Sequence, residues 1–430
     1  MSVDPSRIYQ AFDPAPLKAN QQTTCYVELG PVRGEPAEKT VAQRLAQQIR
    51  LANKPTCQLL SGHRGSGKST ELFRLQHELG QGPKKYFVVY CDVDESLNRS
   101  DMDFTDLLLV VVRQLALQVH QATGIKLKPG YFQDRFLELK DFFTSDVDFS
   151  SLELSDGLNK IVGSLRSSGV NRKTVRSAME PKVESLIEAA KDVISEAKQQ
   201  LGVKGFADLV IVIDNLDHLV RRTGEGGEDY PGENLFIRRA PEMRRFNCHV
   251  VYTVPLALAF SLHEQELTRL YDHRTPIVGL TKLRDRQGQA YLPGIERFRE
   301  VIKRRLEFAQ ARESDVFAGD PVREQLIGMT GGQLQVLCIT VRAALVFGLP
   351  ITGEVLDELK REERHAFARW LKLAHWRMID GIRHGNQPMP NEENAQTLRE
   401  LIEGRGLLYH KNADEWWAVN PVIGDTPKGI

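Results

Sequence analysis

Apolar positions along this chain follow two periodicities. Four short runs, Thr56 to Leu60, Tyr86 to Cys91, Leu209 to Ile213 and His249 to Thr253, read as strands of one sheet. The unbroken β-branched and aliphatic run from Leu209 suits a central parallel strand buried on both faces. Elsewhere apolar residues recur every three or four positions. Leu72, Leu75 and Leu79 share one helical face that ends at Gly80, and Val183, Leu186, Ile187, Ala190, Ile194, Ala197 and Leu201 form a longer stripe closed by Gly202. After Pro293 helical spacing takes over, through "PGIERFREVIKRRLEF", "DPVREQLIGMTGGQLQVLCITVRAALVF" and "ITGEVLDELKREERHAFARWL". The tail predicts a helix over about Asn391 to Glu403, then strands "LLYHK" and "WWAVN" around a turn at Asn412 to Asp414, ended by Pro421. A helix followed by a hairpin suggests a winged-helix-like module.

The first strand and first helix are joined in "CQLLSGHRGSGKSTELFRL", where Gly62, Gly67, Lys68 and Ser69 satisfy G-x-x-x-x-G-K-[ST] and Gly65 adds a further glycine. Strand, glycine-rich bend and helix in that order make an anion cradle. Backbone N–H groups curl around phosphate oxygens with no Cβ in the way, and the helix N-terminus adds partial positive charge. The expected nucleotide contacts are therefore Gly62, His63, Arg64, Gly65, Ser66, Gly67, Lys68, Ser69 and Thr70, with Lys68 on the β and γ phosphates and Ser69 on Mg²⁺. Asp214 ends the Leu209 strand, at the edge where α/β sheets bind ligands, and is the expected second holder of Mg²⁺. A guanine-selective [NT]-K-x-D loop has its nearest approach in "TKLRD" at Thr281 to Asp285, one residue too long, so ATP is favoured over GTP. The expected fold class is α/β: a P-loop parallel sheet with a helical insertion, an α-helical lid and the small C-terminal module.

The P-loop, the "VIVIDNLD" strand, the "VVYTVP" strand and the later "MTGGQLQVL" helix occur in the order seen in the AAA+ and STAND branch of P-loop ATPases. "SGHRGSGKSTEL" with "VIDNLDHL" resembles a group of bacterial ATPases, in a layout similar to origin-recognition initiators and NACHT-like switch proteins, over about residues 55 to 360. The resemblance implies Mg-ATP as ligand, three helices closing over it as a lid, and work done as a homo-oligomer or through a partner effector protein. It also implies a setting in bacterial defence. It puts Thr253 at the sensor-1 position, a polar side chain that feels the γ-phosphate, although a core threonine is the other reading.

Two positions depart from that pattern. Most AAA+ enzymes follow the strand-end aspartate with a glutamate that orients the attacking water, and this chain has Asn215. Asp217 can polarise water in its place or serve as an N-cap or surface acid. The sensor-2 arginine of this class follows G-G-x-x, where "GGQLQ" carries Gln335; Arg342 is the substitute within reach. Arg238, Arg239, Arg244 and Arg245 are candidates for an arginine finger, or a solvated helix face.

The length of 430 residues and 41% hydrophobic content suit two or three domains, and the boundaries expected are 1–50 (N-terminal segment), 51–290 (ATPase core, with an insertion over about 122–203), 291–360 (lid) and 361–430 (C-terminal helix and hairpin). Lys and Arg total 57 and Asp and Glu total 57, so no global field points to nucleic acid. A DNA surface would need a local patch; the basic stretch "KREERHAFARWLKLAHWRMIDGIRHG" offers one, or is a solvated helix face, and Trp416 and Trp417 pack the hairpin or stack on bases. The five cysteines have no C-x-x-C spacing, and the longest apolar run, Leu107 to Val112, is far too short to span a bilayer, so a cytoplasmic, membrane-free protein is expected. "RRTGEGGEDYPGENLF", from Arg221, reads as a mobile loop facing a neighbouring subunit or a ligand. Three functions remain open: an ATP-binding, ATP-hydrolysing switch that drives or gates a partner, a nucleotide-gated DNA-binding protein like an initiator or transposition regulator, and a non-hydrolysing ATP-stabilised scaffold.

Overall fold

The computed structural model describes residues 4–17, 21, 24–36, 39–97, 102–128, 158–159, 162–163, 180–219, 230–411 and 414–425. The glycine-rich stretch from Arg221 to Asp229, most of the expected insertion and the hairpin residues 412–413 lie outside them. The strands are β1 (Cys57–Gly62), β2 (Tyr86–Asp92), β3 (Asp208–Asp214), β4 (His249–Val254) and β5 (Ile277–Val278), and they form one parallel sheet in the order β2-β3-β4-β1-β5. Among the described residues, helices of seven residues or more are α1 (Pro5–Ala11), α2 (Val41–Leu51), α3 (Lys68–Leu79), α4 (Phe104–Thr123), α5 (Val183–Val203) and α6 (Glu264–Leu270). They continue with α7 (Leu292–Phe308), α8 (Asp320–Met329), α9 (Leu334–Leu345), α10 (Gly353–Trp370), α11 (Leu373–Arg383) and α12 (Ala395–Glu403). An antiparallel hairpin of β6 (Leu407–Lys411) and β7 (Glu415–Val419) follows, with Tyr409 opposite Trp417.

The unbroken run of β3 is explained by two cores. Leu209, Ile211 and Ile213 face the layer built from α4 and α5, while Val210 and Val212 face the layer built from α2 and α3. Successive strand side chains point to opposite faces, so a strand covered on both sides has no position left for a polar residue. The Leu107–Val112 run sits in α4, where all six side chains are buried. Helix α5 is a covering layer of the sheet, so the part of the 122–203 segment that is described at its end belongs to the core itself. Among the described residues no helix is long and apolar enough to cross a membrane.

The N-terminal segment splits between two bodies. Helix α2 packs on α3 beside the sheet, whereas Ile8, Ala11, Phe12, Val27, Leu29 and Val32 share one core with α7, α8, α9 and the start of α10. The lid is therefore completed by residues of the N-terminal segment, far from it in sequence. The tail helices and hairpin form a further core on the short helix Leu256–Ala259, which directly follows β4 and Pro255. Lid, tail and sheet meet at one tight turn. A Cβ on Gly332 (φ +83°) would lie 1.9 Å from the Thr281 carbonyl oxygen, and one on Gly331 (φ +58°) 2.3 Å from Leu408 Cδ1.

This packing separates two glycines that look alike in sequence. Gly332→Ala forces the lid off the strand-to-lid connection and combines that clash with left-handed strain, and it should cost about 2 kcal/mol or more. Gly328, on the open side of α8 with nothing near its missing Cβ, should gain up to about 1 kcal/mol on change to Ala. Thermal denaturation of the two variants should thus move the midpoint in opposite directions.

Candidate functional site

The loop between β1 and α3 owes its shape to three glycines with positive φ: Gly62 (+155°), Gly65 (+78°) and Gly67 (+102°). A Cβ at Gly62 would sit 2.7 Å from the Val278 carbonyl oxygen and one at Gly65 2.5 Å from Gln335 Cβ, so side chains are excluded by packing as well as by backbone angle. Gly67 is the N-cap of α3, which leaves the helix's first N–H groups without a side-chain cap and turned toward the loop. Lys68, the first helical residue, is buried. Its ammonium lies 2.9 Å from the Gly62 carbonyl oxygen, 2.9 Å from that of His63 and 3.0 Å from Asp217 Oδ2. All three N–H donors thus have an acceptor.

Across the loop stands Asp214, the last residue of β3, with no exposed surface. Its Oδ1 accepts the Asn215 backbone N–H at 2.7 Å, its Oδ2 accepts the Tyr90 hydroxyl, and the Ser69 hydroxyl lies near enough to favour its charged form. Burial, aided by the Asp217 charge, raises its pKa above the usual carboxylate range against the pull of those hydrogen bonds. A serine hydroxyl on a strand-end carboxylate is an all-oxygen donor pair of the kind Mg²⁺ takes together with waters and phosphate oxygens. Asn215 adopts a left-handed φ of +68° and donates from Nδ2 to Asp92 Oδ1 at 2.7 Å, while His218 Nδ1 lies 2.7 Å from Asp94 Oδ2. Thr253 is buried on β4, the strand between β1 and β3, and its Oγ1 accepts the Leu216 N–H at 3.0 Å, bracing the turn that carries Asn215 and Asp217.

Arg64, Gly65, Gly67, Lys68, Ser69 and Thr70 line a cavity of about 400 Å³. Asp92, Asp94, Asn215, Asp217 and His218 close one side of it. Apolar residues of the N-terminal segment (Pro14, Leu17, Val27) and the lid (Leu334, Cys338) close the other. Of the expected loop contacts, Arg64 is exposed, whereas Ser66 is buried and its hydroxyl has no partner among the described residues. His63 turns the other way, its Nε2 accepting the backbone N–H of Tyr409 at 2.8 Å. Gln335 stands against the loop, with its N–H 3.3 Å from the Gly65 carbonyl oxygen. Arg342 does not approach the phosphate loop; its guanidinium lies over the Tyr9 ring at 3.8 Å, with Asp13 at 3.7 Å. Arg239 pairs with Glu180 and Glu242, Arg244 with Asp272, and Arg245 with Glu184 and Glu188, so these three serve surface ion pairs within the chain, and Arg238 is also engaged.

Sequence reasoning missed Arg33. Its guanidinium is buried, lines the cavity, and donates from Nη2 to the Ser66 carbonyl oxygen at 2.7 Å, while Nε has no partner among the described residues. The only signal is local: Gly30, Pro31 and Gly34 bracket one arginine in "GPVRG", which marks a tight turn but not what the side chain meets. Beside it Tyr26, Glu28, Glu71 and Arg74 form a polar cluster, with Arg74 over the Tyr26 ring at 4.3 Å. Burial pushes the Glu71 carboxyl up to about 7, with Arg33 and Arg74 opposing the rise.

No protein-family model matches this chain, and no curated protein does. Among solved structures it is similar to a Walker-type ATPase of Pyrococcus abyssi, at 16% identity and a TM-score of 0.41, covering 96% of this chain and 98% of that one. An ORC2 protein of Aeropyrum pernix, in ADPNP–ADP complexes, aligns at 11% identity and 0.42 over 96% of this chain and 93% of its own. Cdc6p of Pyrobaculum aerophilum aligns at 12% and 0.37 over 98% and 95%. The P-loop α/β fold is defined by this chain's own parallel sheet and by the glycine loop that leads from β1 into α3.

Because the pKa of Glu71 is raised on folding, the folded chain binds that proton more tightly than the unfolded one. Its contribution to stability is present below about pH 4.5 and is lost as pH rises through about 7. Glu71→Gln keeps the shape without the charge. Relative to wild type, the variant should gain stability as pH rises through that window, by up to about 3 kcal/mol, read as a difference between two thermal melting series.

Proposed function

We propose that this protein is an ATP-binding switch that hydrolyses ATP to reset itself. The observation that carries the reading is the position of Lys68 and Ser69 on the wall of a cavity built by three parts of the chain, with Asp214 buried behind them. A ligand bonded to all three favours the arrangement in which they are together, which is how binding energy becomes a shift in conformation.

Within that reading the parts divide as follows. The α3 N-terminus and the glycine backbone receive the phosphates, and Arg33 adds a fixed positive charge from behind Ser66. Ser69 and Asp214 would hold Mg²⁺, which would supply charge to offset the phosphates and favour the ionised form of the buried Asp214 carboxylate. Lys68 has no free donor, so it exchanges at least one present acceptor for a phosphate oxygen. Asp217 is the acceptor whose release matters: its carboxylate is buried with Oδ1 unpartnered, and once parted from Lys68 it is the base nearest the reacting end. Asn215, tied to Asp92, holds the turn and takes no proton. The apolar walls from Pro14, Leu17, Val27, Leu334 and Cys338 accept the base, and Gln335 on Gly65 ties the lid to the filled loop.

Output goes to a partner protein through lid and tail. Trp416 stacks on His410 and Trp417 lies against Phe260 and His63, so the tryptophans pack the hairpin, and Glu354, Asp357, Glu358, Glu362 and Glu363 alternate with the basic residues of α10. Both features favour protein over DNA as the target.

Saturating Mg-ATP should raise the melting temperature of wild type, since ligand at 100 times its dissociation constant adds about 2.7 kcal/mol. Lys68→Ala and Asp214→Ala should remove that rise. Asp217→Asn should keep the rise and lose phosphate release, measured as turnover. No rise in wild type at millimolar Mg-ATP ends the switch reading, and undiminished turnover in Asp217→Asn removes that residue from the chemistry.

A further inference from the structure

We propose that His63 is an autoinhibitory latch, joining the phosphate loop to the C-terminal hairpin so that filling the loop unseats the hairpin. The proposal rests on the nucleotide reading above. Its starting point is that one residue faces two ways. The His63 carbonyl and that of Gly62 before it accept the Lys68 ammonium, both at 2.9 Å, inside the loop. The His63 ring leaves the loop altogether, is 2% exposed, accepts the Tyr409 N–H at 2.8 Å and meets the Trp417 ring edge-on at 6.2 Å between centroids.

Nε2 accepts, so the ring is neutral with its proton on Nδ1. Burial holds its pKa well below the usual histidine range, and the neighbouring His410, Lys68 and Arg405 push the same way, so the acceptor persists at neutral pH. What it holds is an outward-facing backbone group of a two-stranded hairpin. Such a hairpin is marginal in water without cover, so its order depends on what it is docked against. Its covers include α11 and α12, with Gln387 Oε1 accepting the Trp417 N–H at 2.6 Å, Phe260, with ring centroids 4.7 Å from Tyr409 and 5.0 Å from Trp417, the lid turn at Gly331 against Leu408, and His63. Of these only His63 is part of the phosphate loop.

The two bonds cannot be independent. When a phosphate oxygen displaces Asp217, the Lys68 ammonium turns toward it, and the Gly62 and His63 carbonyls bonded to that ammonium are re-aimed, which resets the peptides on either side of His63. Their N–H groups must then serve the phosphates, and the ring carried by the same residue moves off Tyr409. By linkage the effect is mutual: the seated hairpin opposes nucleotide binding by as much as nucleotide opposes seating.

Hydrogen exchange of the full chain tests this, with thermal shift recorded on the same samples to report binding. In wild type, Mg-ATP should speed exchange of the peptide covering Leu407–Lys411 by about tenfold, equivalent to about 1.4 kcal/mol, while the α4 peptide stays protected. In His63→Ala that peptide should exchange fast from the start, respond no further to Mg-ATP, and bind nucleotide at least as tightly. His63→Gln keeps an acceptor and should stay closer to wild type, which separates the bond from a general loss of packing. A thermal shift without any change at Leu407–Lys411 in wild type overturns the latch, as does a full nucleotide response in His63→Ala, or His63→Gln behaving as Ala. Absence of a thermal shift in wild type overturns the nucleotide reading first, and the latch with it.

Discussion

A buried ammonium must be surrounded by acceptors or it does not stay charged, and that requirement on Lys68 organises the molecule. Its three N–H groups draw in two successive carbonyls of the loop and a carboxylate from beyond the end of β3. The glycines permit the curvature of the loop, and the Lys68 ammonium ties that curve to Asp217 beyond the end of β3. A buried charge pair contributes little net stability but penalises any arrangement that breaks it. The pair therefore selects one geometry for the loop, and a competing anion is among the few partners that can replace Asp217 without stranding the charge.

The sequence announces the elements whose physics is local. The loop glycines are required by backbone angle, the run at Leu209–Ile213 by burial on both faces, and the helix stripes by packing on one face. The tail helix and hairpin are marked by Gly404, Gly406 and Pro421, and they form where those residues place them. Lys68, Ser69 and Asp214 come together because a parallel sheet brings its strand ends to one edge, and that edge is readable from the order of strands.

What sequence does not carry is the direction of a side chain between elements. His63 lies among residues that face the cavity yet its ring serves the hairpin, because a sharp turn sends consecutive side chains to opposite sides. Arg33 has no periodic pattern around it and reaches the loop only because the N-terminal segment folds into the lid. Arg342 sits within a turn or two of Gln335, but the helix aims it at Tyr9 and Asp13. Each of these depends on a contact between segments far apart in the chain, about which local spacing is silent.

The lid, built from segments nearly 300 residues apart, also bears on how the molecule is made. Arg305 Nη1 donates to the Ala11 carbonyl across 294 residues of sequence, and Phe12, Val27 and Leu29 pack among residues of α7 and α9. The cost of closing such a loop rises slowly with length, but the contacts cannot form until the intervening sheet has drawn the ends together. During folding Ile8, Phe12, Val27 and Leu29 stay uncovered until the residues of α7 and α9 that cover them are in place. The cavity at the phosphate loop is walled on its apolar side by these long-range contacts, so that wall exists only where the N-terminal segment and the lid have met.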